Sequence, residues 1–97
     1  MNIRQMMKQA QAMQDKVQAE LAAIRIEGTA GGGAVTVEMS GTKEVTGCRI
    51  SPDAVDPADV EMLQDLIVAA ARDAGRKVDE EVQRKTSRML GGMVPGF

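Results

Sequence analysis

Phe97 is the only aromatic side chain among the 97 residues, and it is the last one. Aromatic rings supply much of the buried area in small cores, so this interior falls to Val, Ile, Leu, Ala and eight Met. A domain of this length covers only about 60–65% of the surface its unfolded form exposes. A core of small and flexible side chains leaves such a domain little stability of its own. The expected remedy is an obligate homo-oligomer, in the simplest case a dimer, with residues 1–97 forming one domain.

The same composition excludes several classes of chemistry. The chain has no His, which removes imidazole as general base and as metal ligand. Cys48 is the one cysteine, so neither an intrachain disulfide nor a Cys-cluster zinc site is available, and a reducing cytoplasm is the expected setting. Its place in an alternating run predicts a small buried hydrophobe. No apolar run approaches the ~20 residues of a membrane span. Arg4 is followed by Gln5 and Lys8 where a signal peptide has its apolar core. Gly31-Gly32-Gly33 lacks the Gly-Lys-Ser/Thr ending of a phosphate loop and runs into a strand, so it reads as a hairpin turn. Asp53, Asp56 and Asp59 lack the alternating spacing of a calcium loop and read as helix caps. No catalytic residue, metal ligand or cofactor site emerges, and an enzyme is not expected.

Hydrophobic periodicity divides the chain in three. Ile3, Ala10, Val17 and Ile24 recur every seven residues, with Met6 and Met13 between them and Met7 and Leu21 beside the stripe, which predicts a helix over about 3–24. Asn2 is its cap, with Gln5 three residues on. The heptad stripe predicts packing against a partner helix. Over about 25–51 the period changes to two. Val35, Val37 and Met39 alternate with Thr36, Glu38 and Ser40, and Thr46, Cys48 and Ile50 alternate again. Gly47 marks an expected bulge, because Val45 is out of phase. Arg25 to Ala30 adds a third strand, giving an antiparallel meander. Asp56 as cap and Pro57 at the first position then predict a helix over about 57–90. It is roughly 50 Å long and carries Val60, Leu63, Ile67, Ala70, Ala71, Ala74, Val78 and Val82 on one side. From Gln83 to Arg88 it has no apolar side chain, so this end is expected to project. The fold class is α+β, with a tail over 91–97.

Charge is sorted along this frame. The net charge is -2, yet the stretches before Asp15 and after Glu81 hold five of the twelve basic residues and none of the fourteen acids. Arg84, Lys85 and Arg88 suit a helix C-terminus, and Glu80–Arg84 and Glu81–Lys85 are expected pairs four residues apart. Arg4 and Lys8 have no such explanation, because they are like charges in the first turns of a helix, where the dipole disfavours cations. If the two long helices pack antiparallel across the sheet, both basic segments meet at one end and offer a surface to phosphates. The lack of aromatic rings argues against single-strand binding by base stacking, so duplex DNA is the better target.

With these elements in place, the chain resembles the YbaB/EbfC family. Met7 to Gln14 (MKQAQAMQ), continuing to Lys16, resembles the family's N-terminal block. Glu61 to Ala71 (EMLQDLIVAAA), followed by Asp73-Ala74, resembles its second block, and the tail GGMVPGF resembles its third. The resemblance implies a helix–sheet–helix protomer in a tweezer-like homodimer, binding double-stranded DNA in the bacterial nucleoid, with a role in gene regulation. It also implies DNA contact through the protruding parts of the first and last helices. Carried onto this sequence, that means Arg4, Lys8, Arg84, Lys85 and Arg88. Arg72 stands where relatives often have Asn and would add a phosphate contact. The Gly-rich segment that many relatives carry before the first helix has no counterpart here. The rival reading is a protein-interaction module that presents the Met-rich helix, or the tail residues Met93, Val94 and Phe97, to another protein.

Overall fold

The structure, a computed structural model, describes residues 2–90. Its elements run α1 (Ile3–Ala23), β1 (Arg25–Ala30), β2 (Val35–Ser40), β3 (Val45–Ile50), a 3-10 turn (Pro52–Ala54) and α2 (Val60–Leu90). Fold class and element order match the sequence reading, and the tail from 91 to 97 lies outside the described residues.

The strands form one antiparallel sheet in the order β1-β2-β3. Gly31, Gly32 and Gly33 all have positive φ, of 64°, 67° and 94°, so the β1–β2 connection uses backbone that side chains rarely adopt. The pairing of β2 with β3 shifts between Glu38 and Met39, opposite Gly47 and Val45. This is the bulge that Val45's phase predicts. Buried Ser40 closes the β2–β3 turn, its hydroxyl accepting from Thr42 N (3.3 Å) and Glu44 N (3.2 Å) and bonding the Thr42 hydroxyl (2.8 Å).

The two faces of the sheet differ. One is polar and laced with side-chain bonds, Arg49 to Glu27 at 2.7 Å and Thr46 to Glu38 at 2.8 Å. The other carries Val35, Val37 and Met39, which are buried under Ala70, Ala74 and Val78 of α2. The approach is close: a Cβ on Gly28 would lie 2.1 Å from Ala74 N and 2.5 Å from Ala70 O. Glycine and two alanines thus allow backbone to meet backbone.

α2 packs on β1 and β2 and leaves β3 uncovered. Cys48 is therefore exposed, against the expectation that it is buried. Its phase is right, since it pairs with buried Val37, but the helix above does not reach it. α2 also starts later than expected. Asp56 Oδ1 accepts from Ala58 N in a local turn (2.9 Å), and Asp59 Oδ1 accepts from Met62 N (3.1 Å), so Asp59 is the cap and Pro57 precedes the helix.

α1 departs furthest from expectation. None of its 21 residues is buried, and it touches the sheet only marginally, at β2. It does not pack antiparallel to α2 across the sheet. Ile24 alone separates it from β1, and the Leu21 carbonyl accepts from both Gly41 N (3.0 Å) and Ile24 N (3.1 Å). With so short a joint α1 leaves the sheet instead of folding over it. The molecule is 68 Å long, more than the ~46 Å of a 31-residue helix such as α2, and its radius of gyration of 18.7 Å exceeds the ~12.5 Å of a compact chain this size.

Candidate nucleic-acid interface

The basic residues at the two ends of the sequence sit on two separate helical prongs rooted at one end of the sheet. α2 runs from the Gly31 turn, which Leu66 contacts, toward the β2–β3 turn, where Asp79 takes Lys43 at 2.8 Å. α1 is anchored at that same turn through Gly41. The N-terminal turns of α1 and the C-terminal turns of α2 are thus both carried away from the sheet, but they do not form one packed surface.

On α1, Asn2 caps the helix by accepting from Arg4 N at 3.0 Å, and the first turn holds no acid. Arg4 and Lys8 are exposed. Four residues apart, they share the side of α1 turned away from Ala10 and Val17. On α2, Val82 is the last side chain among the described residues that packs against the core. Arg84 and Arg88 beyond it are exposed, and Lys85 is half-buried.

Ion pairing is uneven among the cations, and Lys16 and Arg72 have no carboxylate among the described residues. Toward the middle of the chain, Arg25 meets Glu38 (3.8 Å), Lys43 meets Asp79, Arg49 meets Glu27, and Lys77 meets Asp73 (3.0 Å). Arg76 meets both Asp73 (2.9 Å) and Glu80 (2.8 Å). The Glu80 bond changes the pairing expected on α2. With Glu80 drawn back one turn to Arg76, Arg84 takes Glu81, and Lys85 has no carboxylate among the described residues. Arg4, Lys8 and Arg88 have none there either. Four of the five expected phosphate ligands are thus cations without an ion-pair partner among the described residues.

Asp73 is the residue whose importance sequence reasoning missed. Its carboxylate accepts from Thr29 N at 2.9 Å and from Lys77 and Arg76. The Thr29 bond, then Lys77 and Arg76, hold its pKa down at about 2. The Arg76 guanidinium is held above its usual range, first by its bond to Asp73 and then by Glu80. Lys77 also donates to the Glu27 carbonyl at 3.4 Å. The group is structural: it ties α2 to the outer edge of β1. Thr29 and Asp73 lie 44 residues apart in sequence, so no local spacing reveals their contact.

A family model described as the YbaB/EbfC DNA-binding family matches residues 1–93. The chain belongs to that family. A nucleoid-associated protein of Chloroflexus aurantiacus is 53% identical over 96 residues, covering 96% of each chain. One of Alkaliphilus metalliredigens is 50% identical over 100 residues, covering 99% of this chain and 88% of the relative. The crystal structure of an uncharacterized protein, HP0035, from Helicobacter pylori superposes with a TM-score of 0.69 at 22% identity, covering 94% of this chain and 99% of that one. The last likeness concerns the fold alone. The YbaB/EbfC family is a DNA-binding family and not an enzyme family, and no helix among the described residues is long and apolar enough to cross a membrane.

Proposed function

We propose that this YbaB/EbfC member binds double-stranded DNA as a homodimer through its prongs, in the nucleoid of a bacterial cytoplasm, and contributes there to gene regulation. The observation that carries the reading is the sorting of ion pairs. Arg25, Lys43, Arg49, Arg76 and Lys77, which lie on or against the sheet, are answered by carboxylates, whereas Arg4, Lys8, Lys85 and Arg88 on the prongs have none among the described residues, a condition they share with Lys16 and Arg72. A cation that gives up no internal partner contacts a phosphate at lower cost. Arg84 adds a further charge when it leaves Glu81, an exposed pair worth at most ~1 kcal/mol.

Contacts of this kind are to the DNA backbone, so they bring affinity with little demand on sequence. No aromatic platform for unpaired bases accompanies them, which favours the duplex over a single strand. The acids Asp53, Asp56, Asp59, Glu61 and Asp65 lie around the opposite end of α2, whereas Asp79, Glu80 and Glu81 precede the prong of α2 and Asp15 and Glu20 lie on α1.

A gel shift on plain duplex DNA across a salt series tests the proposal. Replacing Arg84, Lys85 and Arg88 together by Ala should weaken binding and reduce the log–log salt slope by about 0.9 for each phosphate no longer engaged. Light scattering should show the same dimer before and after. Unchanged affinity and slope would remove α2 from the interface.

A further inference from the structure

The N-terminal prong is a bare helix. None of the 21 residues of α1 is buried, and every residue from Asn2 to Lys16 is exposed. With its side chains a helix is ~10–12 Å across. The major groove of duplex DNA is ~12 Å wide and admits a helix, whereas the minor groove, at ~6 Å, does not.

The sequence of α1 is graded as such an entry requires. No acid occurs from Ile3 to Gln14, a stretch of ~18 Å that is longer than the groove is wide. Asp15 is the first carboxylate, beyond that length, and it accepts from Gln11 Nε2 at 3.0 Å.

Two kinds of side chain occupy the open side of this stretch. Arg4 and Lys8 form one row, and Gln5 and Gln9, each the next residue along, form a second row beside it. Both rows lie opposite the stripe of Ile3, Met6, Ala10, Met13 and Val17, so they stay open whatever covers the stripe. The cations suit phosphates, but the amides suit something else. Asn2 caps the helix by accepting from Arg4 N, yet Gln5 does not reach back to Asn2, and neither Gln5 nor Gln9 bonds a described residue through its side chain. Phosphate oxygens are acceptors only and would leave the amide carbonyl unmatched. The major-groove edge of adenine offers both halves, with N7 as acceptor and N6 as donor.

We infer that the N-terminal turns of α1 enter the major groove, with Arg4 and Lys8 on flanking phosphates and Gln5 and Gln9 on the edges of adenine bases. This rests on duplex binding by the prongs and adds a means of telling one sequence from another. Gln5 and Gln9 stand ~6 Å apart along the helix axis, and successive bases of a strand rise ~3.4 Å. A helix lying along the groove therefore fits adenines about two steps apart.

Gel shifts on a duplex rich in A·T pairs, and on the same duplex with 7-deazaadenine in place of adenine, test this. The replacement removes the N7 acceptor and leaves base pairing, phosphates and the minor groove as they were. The unaltered protein should bind the deaza duplex about fivefold more weakly or worse, the lower end for one bidentate contact. Gln5→Ala with Gln9→Ala keeps every charge and a good helix former at both positions. That variant should bind both duplexes alike, with the salt slope of the unaltered protein. Equal binding of the two duplexes by the unaltered protein overturns the base contacts and leaves duplex binding standing. A double variant that still discriminates by the same factor overturns the assignment to Gln5 and Gln9. Failure to bind either duplex overturns the proposed function as well.

Discussion

α1 and α2 carry the same kind of sequence, an apolar stripe at helical spacing, and the fold treats them in opposite ways. α2 lays Ala70, Ala74 and Val78 so close on the sheet that Gly28 has no room for a Cβ. α1 has no buried residue over 21 positions and is held by backbone bonds to one carbonyl, Leu21. A stripe states that a helix needs cover. It does not state where the cover comes from. Here the side chains that let a helix approach closely are small, and they lie on α2, while α1 offers long and flexible Met.

The sharpest way to break this comparison is to add one methyl group at each anchor. Gly28→Ala drives a Cβ into the backbone of α2, where no side chain can give way. It should destabilise by about 3 kcal/mol and lower the melting temperature by more than ~10 °C. Gly41→Ala places a Cβ 2.4 Å from the Leu21 carbonyl, yet little else fixes α1 to its own sheet. Its effect should stay within about 1 kcal/mol. Equal losses in thermal unfolding would mean that α1 is as firmly seated within one chain as α2.

The second effect compares the prongs as ligands. Arg4→Ala with Lys8→Ala should reduce the salt slope of DNA binding by about 1.8, against about 2.7 for the three replacements on α2, if every charge meets a phosphate. A pair of slopes in the reverse order would make α1 the principal arm.

The smallest effect concerns what holds α2 in place. The Asp73 pKa lies at about 2, below the ~3.9 of an unfolded Asp. Its contribution is complete above about pH 4 and is lost as pH falls through about 2. Asp73→Asn keeps an oxygen for Thr29 N but removes the charge. Acid unfolding followed by circular dichroism should then be less steep between about pH 4 and 2 in the variant, which is the less stable protein above that range. A curve unchanged in that window would show that Asp73 is not the tie between α2 and β1.

Much of the fold is legible in the sequence because its signals are local. Asn2 as a cap, glycines at positive φ, alternation in β2 and the phase error at Val45 each act within a few residues. The exposure of Cys48 is not legible, because its phase depends on β3 alone whereas its cover depends on how wide a helix is and which strands it lies over. The pairing of Arg84 escapes sequence reasoning for a similar reason. Glu80 has neighbours on both sides at helical spacing, and Arg76 takes it. The basic residues proposed for the interface are those that charge sorting singles out, but their separation onto two prongs follows from the single residue Ile24 between helix and strand.

The tie between α2 and β1 has one more consequence. Thr29 N and the Glu27 carbonyl lie on the outer edge of the sheet, and Asp73 and Lys77 already occupy them. That border can accept no additional strand without first displacing charged side chains. Any lengthening of the sheet is therefore confined to the β3 border, and a structure that can grow on one side only ends at a pair. The same carboxylate and ammonium that fasten the helix thereby guard the protein against running into fibres.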